Sequence, residues 1–282
     1  MSEIMEYSIL LTVYKLDNPQ YFKTSLESIL NQTMPSNDIV IVIDGPATEE
    51  IYSIIDEYKQ KNKAIHPLQL EKNVGLGNAL NEGLKVCVND LVARMDSDDI
   101  SLPDRFEKQL DMFLNNPELD IVGSPVVEFV GDVNNVVGYR DVPIDYESII
   151  EFSKRRDPFN HPTVMFRKSK VLKYGPYADY RKNQDTDLWI KLLSNGCKAE
   201  NFPTHLLFFR FDENTYKKRK SWINTKTLIK IRRKAWENGY CSFLDFLIVM
   251  TAQLSIFVLP NSFQRVLYTK ILRRKNESRT KN

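Results

Sequence analysis

The chain has 282 residues, of which 42% are hydrophobic, 27% charged and 11% aromatic, a composition that excludes a disordered chain and a multi-span membrane protein. The formal net charge of +2 hides a division: residues 1–212 carry 23 Lys and Arg against 33 Asp and Glu, whereas residues 213–282 carry 16 against 4. The three cysteines, Cys87, Cys197 and Cys241, are widely spaced and form no C-x-x-C pair, so neither a zinc site nor a disulfide framework is expected.

In chain order, residues Tyr7 to Val13 (YSILLTV), Ile39 to Ile43 (IVIVI) and 91–95 (LVARM) are short apolar runs. Runs of this kind suit strands buried on both faces of a parallel sheet. Helical spacing separates them. Phe22, Leu26, Ile29 and Leu30 share one face of 20–31; Ile51, Ile54, Ile55 and Tyr58 share one of 49–58; Leu76, Leu80 and Leu84 share one of 75–88. Strand and helix alternate, which predicts a doubly wound α/β sheet. Pro103 suits a first helical turn ahead of Phe106, Leu110, Phe113 and Leu114. Residues 119–140 then read as strands punctuated by Gly123, Pro125, Gly131 and Gly138, followed by a strand at 163–167, a helix at about 184–194 and a last strand at 205–211.

The tail has another character. Residues 217–234 are rich in Lys and Arg, and 243–259 (FLDFLIVMTAQLSIFVL) is an apolar run interrupted by Asp245. That run lies at the lower edge of the length needed to cross a bilayer. Basic residues flank it on both sides, so three arrangements stand open: helices lying on an anionic inner leaflet, helices packed against the body, or a span. The opening MSEIMEYS lacks the basic start and apolar core of a signal peptide, so the expectation is an intracellular chain, peripheral on the inner face of the membrane.

In an open parallel sheet, ligands bind beyond the carboxyl ends of the strands. Thr12 and Tyr14 fall at the first such end, Asp44 and Gly45 at the second, and Asp96, Asp98 and Asp99 at the third. Carboxylates at i and i+2 can share a hard cation, Mn²⁺ or Mg²⁺, which in turn bridges a diphosphate. Each residue has a plainer reading: acids before a helix complement its dipole, and Asp-Gly is a common turn.

Ordered blocks join these positions: LLTVY, SILNQT, VIVIDGP, NVGLGNALNEGL, ARMDSDDISLPDRFEKQ, HPTVMFRKS and QDTDLWIKLL. In these blocks, from about Tyr7 to about Lys218, the chain resembles the family 2 glycosyltransferases, in particular bacterial enzymes that build capsule, O-antigen or exopolysaccharide units. The resemblance implies a GT-A fold, a doubly wound mixed sheet flanked by helices, to which the tail adds a basic, apolar helical extension. It also implies a division into a nucleotide-sugar half (1–100) and an acceptor half (101–215), to which the basic, apolar composition of the tail adds a membrane-associating segment (216–282). It assigns Thr12, Tyr14, Asp44, Asn73, Arg94 and Asp96 to the donor nucleotide, Asp99 to the donor sugar, and Asp96 and Asp98 to the metal. Asp185 becomes the general base that inverts the anomeric centre, since an acceptor hydroxyl needs a carboxylate to take its proton. His161 falls near the acceptor or diphosphate, or is structural. Two positions depart from the family pattern: Gln184 replaces the usual glutamate, and Asp212 stands where a histidine commonly ligates the metal. The implied partners are a UDP-hexose and a polyprenyl-diphosphate-linked glycan acceptor, and the basic, apolar tail adds an anionic membrane surface.

Two other classes fit less well. A nucleotidyltransferase needs a glycine-rich loop after the first strand, and here that loop is Lys15-Leu16-Asp17-Asn18-Pro19. A nucleic-acid-binding protein would use the basic tail, but no helix-turn-helix, zinc finger or ribonucleoprotein motif is present, so no nucleic acid partner is expected.

Overall fold

A computed structural model describes residues 5–211 and 221–258. The elements in chain order are β1 (Tyr7–Val13), α1 (Pro19–Leu30), β2 (Asp38–Ile43), α2 (Glu49–Lys61), β3 (Ile65–Gln69), α3 (Leu76–Val86), β4 (Leu91–Met95), β5 (Ile100–Ser101) and α4 (Arg105–Asn115). There follow β6 (Leu119–Gly123), β7 (Val126–Phe129), β8 (Val136–Arg140), α5 (Tyr146–Ser153), a 3₁₀ turn (His161–Thr163), β9 (Met165–Arg167) and α6 (Lys168–Tyr174). The series ends with α7 (Gln184–Ser194), β10 (Lys198–Asn201), β11 (Leu207–Arg210), α8 (Trp222–Glu237) and α9 (Phe243–Val258).

Seven strands form one sheet in the order β10-β6-β9-β4-β1-β2-β3. The pairs β1–β2, β1–β4, β2–β3 and β10–β6 are parallel, while β9 runs antiparallel to both β4 and β6. The sheet is therefore mixed, as the family resemblance implies. Alternation along the central strands sends side chains to opposite faces. Ile9, Leu11, Ile39, Ile41 and Ile43 pack with Phe22, Leu26, Ile51 and Phe106 from α1, α2 and α4. Leu10, Val40 and Val42 pack on the other face with Ala79, Leu80 and Leu84 of α3 and Leu188 of α7. Both faces are covered, which is what doubly wound means, and each buried Ile or Leu stabilises the fold by about 1.5–3 kcal/mol.

A second, four-stranded sheet has the order β5-β11-β7-β8. Its shortest strand, β5, follows the acidic cluster directly, and Ile100 pairs with Phe208 of β11. The cluster is thereby fixed between the two sheets.

Helices α8 and α9 pack on each other and on the body. Arg232 of α8 donates to the Ser153 carbonyl, and the Tyr240 hydroxyl bonds the Ser153 side chain. Asp245, the one charge in the apolar run, is buried; it accepts from Arg155 Nε at 2.5 Å and from Ser242 Oγ at 2.6 Å. Among the described residues no helix is long and apolar enough to cross a membrane.

Candidate active site

The order β4-β1-β2 puts three carboxyl-terminal strand ends side by side, with Leu11 level with Met95 and Val13 level with Ile43. Parallel strands in adjacent register expose their C-terminal ends on one edge, so the residues after them share a crevice. Thr12 is half-buried at the end of β1, and Tyr14 is exposed just beyond it. The loop there is pinned by Asp17, which accepts from the Tyr14 backbone N–H at 3.1 Å and from Ser97 Oγ at 2.8 Å. Asp17 thus ties the end of β1 to the acidic cluster, a role that sequence reasoning missed because it carries no motif.

Asp44 is buried, and its carboxylate organises the neighbouring loop. It accepts from Asn73 Nδ2 at 2.9 Å, Val74 N at 2.7 Å and Gly75 N at 3.1 Å. Gly45 makes that approach feasible: its φ is +83°, and a Cβ there would stand 2.5 Å from Asn73 N. Asp44 and Asn73, assigned separately from sequence, are therefore one hydrogen-bonded unit.

The acidic cluster is compact. Asp96, Asp98 and Asp99 each offer a carboxylate oxygen, and these oxygens lie within 4.8 Å of one another. Asp99 is fully buried; Oδ1 accepts from Arg210 N at 2.8 Å, while Oδ2 has no hydrogen-bond partner. Burial, then the charges of Asp98 and Asp96, push its carboxyl well above the usual range. Three all-oxygen ligands, mutual repulsion and an unmatched buried oxygen together fit a hard divalent cation. Arg210 braces the cluster: its Nε donates to Asp98 O at 2.9 Å, its Nη1 to Gly131 O at 3.0 Å, and its guanidinium lies over the Tyr21 ring at 3.8 Å. Asp212, the remaining candidate ligand, lies outside the described residues.

Arg94 is 1% exposed and donates through Nη2 to Asp96 Oδ1, but its Nε and Nη1 have no hydrogen-bond partner. Donors on a buried guanidinium are rarely left open. His161 is buried, bonded to the Tyr177 hydroxyl at 2.9 Å and packed edge-on to Trp189. Burial and the neighbouring Arg94 lower its pKa well below the ordinary value, so the ring is neutral at physiological pH.

Asp185 lies in the first turn of α7, after Asn183 in left-handed conformation with φ 59°. Burial, reinforced by the charge of Asp157, pushes its pKa up to about 6. Asp185, Asp96, Arg94 and His161 all line one crevice of about 650 Å³, whose wall also includes Arg156, Arg181 and residues of α8 and α9.

The defining pattern of glycosyl transferase family 2 matches residues 8–175. The chain belongs to that family. A β-1,3-galactosyltransferase of Escherichia coli, UDP-Gal:alpha-D-GlcNAc-diphosphoundecaprenol as named, is 36% identical over 95% of this family 2 chain and 97% of its own length. The amylovoran biosynthesis glycosyltransferase AmsE of Erwinia amylovora is 32% identical over 94% of the chain and 98% of its own. Among solved structures, a Pyrobaculum calidifontis mannosyltransferase in complex with GDP-Man and Mn²⁺ superposes with a TM-score of 0.66 at 14% identity, covering 93% of this chain and 72% of that one. Staphylococcus aureus TarS 1-349 in complex with UDP-GlcNAc gives 0.63 at 18% identity, covering 94% and 73%. The fold of this family 2 chain is therefore GT-A, as its motifs imply.

Proposed function

We propose that this glycosyltransferase moves a hexose from a UDP-sugar to a hydroxyl of a polyprenyl-diphosphate-linked glycan, with inversion, in the synthesis of a bacterial surface polysaccharide. The observation that carries the reading is the crevice that brings Asp185 and the cluster residue Asp96 to one space. The Escherichia coli relative, a UDP-Gal:alpha-D-GlcNAc-diphosphoundecaprenol galactosyltransferase, supports both the UDP-sugar donor and the lipid-linked acceptor.

Residues 1–100 form the donor half. Thr12, Tyr14 and the Asp44–Asn73 unit border the nucleotide base, and Arg94 and Asp96 face its ribose and phosphates. Asp96, Asp98 and Asp99, with Asp212, would hold a divalent cation, Mn²⁺ or Mg²⁺, which would supply positive charge to offset that of the departing nucleoside diphosphate. The open Oδ2 of Asp99 favours that ligand role over a contact to the donor sugar. Residues 101–215 form the acceptor half. Asp185 accepts the proton of the acceptor hydroxyl as its oxygen bonds the anomeric carbon and the carbon–oxygen bond to the diphosphate breaks. Its elevated basicity suits that task near neutrality. Neutral His161, held by the Tyr177 hydroxyl, forms part of the wall beside it. Residues 216–282 attach the enzyme to the inner face of the cell membrane.

The test is calorimetric titration of UDP with Mn²⁺, followed by donor turnover. Wild type and Asp185→Asn are expected to bind UDP equally, and Asp98→Asn to lose metal-dependent binding. No nucleoside diphosphate binding by the wild type would remove the whole reading. Normal turnover by Asp185→Asn would remove the base assignment alone.

A further inference from the structure

We infer that Arg156 and Arg232 form the subsite for the diphosphate of the acceptor, in the crevice that also holds Asp185 and Asp96. The inference rests on the proposed lipid-linked acceptor and assigns the residues that hold its charge.

Both arginines line the crevice that contains Asp185. Of the other cations there, three are held in ion pairs. Arg94 pairs with Asp96, Arg140 with Glu128 at 2.8 Å, and Arg155 with Asp245 at 2.5 Å. Arg181 leans towards the donor side, its Nη1 lying 3.8 Å from where a Gly75 Cβ would be. Arg156 is exposed, makes no ion pair among the described residues, and is steadied by its own Phe152 ring, 4.8 Å from the guanidinium carbon. A guanidinium held by stacking keeps all five donors available for phosphate oxygens.

Arg232 supplies the second observation. It is 2% exposed, its Nη1 donates to the Ser153 carbonyl and its Nη2 stands 3.6 Å from Asp157, yet its Nε has no partner. An unmatched donor on a buried cation is costly, and an anionic oxygen in the crevice removes that cost. The donor diphosphate has its own seat at the acidic cluster, and neither Asp98 nor Asp99 lines this crevice. Leu228 and Ile256, from α8 and α9, extend the same wall with apolar surface. An alkyl diphosphate matches this sequence of groups: sugar hydroxyl at Asp185, phosphates at the arginines, and the start of the lipid on the helices.

The experiment titrates full-length protein, saturated with UDP and Mn²⁺, with hexyl diphosphate, hexyl phosphate and hexanol. Hexyl diphosphate is expected to bind most tightly, and Arg156→Gln to weaken it about tenfold or more, since charge-assisted bonds are the strong ones. UDP affinity should stay unchanged in that variant, and Arg156→Lys should recover part of the loss. Arg232→Lys gives a second measurement, with circular dichroism as the check on folding. Unchanged hexyl diphosphate binding in Arg156→Gln overturns the subsite, as does one-for-one competition between hexyl diphosphate and UDP. Failure of the wild type to bind UDP overturns the glycosyltransferase reading, and the subsite with it.

Discussion

Asp185 sets the pH behaviour expected of the enzyme. Burial is the larger cause of its rise to about 6, and the Asp157 charge is the next. A general base works only when deprotonated, so kcat/KM should fall about tenfold per pH unit below that value. Asp157→Asn removes one cause and should move this acid limb to lower pH, as a pH–rate profile would show. Asp185→Asn should lower kcat by about 10²–10⁴-fold. The same variant should raise stability above the folded-state pKa. A carboxyl that is harder to ionise folded than unfolded destabilises the protein increasingly as pH rises from its unfolded to its folded pKa, fully above the folded value and not at all below the unfolded one. Denaturant unfolding should therefore show a gain of up to about 3 kcal/mol at pH 8 that vanishes below about pH 4. An unchanged difference across that range would contradict the buried-charge account. Asp185 was legible in the sequence through its motif. Its surroundings were not, because Asp157 and Arg232 come from elements far away in the chain and neither sits in a recognisable pattern.

At the scale of elements, close packing of α3 on the sheet depends on a missing side chain. A Cβ on Gly83 would stand 2.3 Å from Leu10 Cδ1 and 2.7 Å from Val42 Cγ2, in the middle of the core on that face. Gly83→Ala gains helix propensity of about 1 kcal/mol but overpacks the core, which costs about 1–3 kcal/mol. The net expectation is a lower melting temperature, and a shifted α3 would also disturb the Asn73–Gly75 loop that Asp44 holds. A thermal scan with UDP titration reads both effects; a variant more stable than wild type would show that the core yields. The central strands β1, β2 and β4 were legible because both their faces are apolar. β3 was not, because Pro67 interrupts it; a proline is tolerated there only because β3 is an edge of the sheet. β10 (KAEN) and α5 escaped for a related reason: the latter buries only Ile149 and Ser153, so no apolar stripe marks it. The two-residue strand β5 has no sequence signal at all, yet it carries Asp99 to Arg210.

The whole molecule presents its C-terminal helices as a docked but incompletely covered layer. Asp245, which reads in the sequence as a flaw in an apolar run, is instead an anchor that binds Arg155 and Ser242. Packing against the body leaves Trp222, Ile223, Phe243, Leu244, Ile248 and Val258 exposed. Lys226, Lys230, Arg233 and Lys234 are exposed on the same pair of helices, and residues 259–282 add seven Lys and Arg against one Glu. Scattered exposed apolar residues are ordinary, but aromatic and aliphatic side chains exposed among cations along one pair of helices match the interface of an anionic bilayer. It also lies on the two helices that supply Leu228 and Ile256 to the crevice, where a lipid-linked acceptor would have to arrive. The protein is therefore expected to float with phosphatidylglycerol vesicles and much less with phosphatidylcholine alone. Binding should weaken with salt, because basic residues near an anionic surface each contribute about 1 kcal/mol, within a Debye length of about 10 Å at 0.1 M. Leu244→Asp with Ile248→Asp should reduce flotation while leaving UDP affinity intact, since neither residue lines the crevice. A wild type that ignores anionic vesicles but shifts DNA in a salt-dependent way would turn the tail from a membrane surface into a nucleic-acid surface.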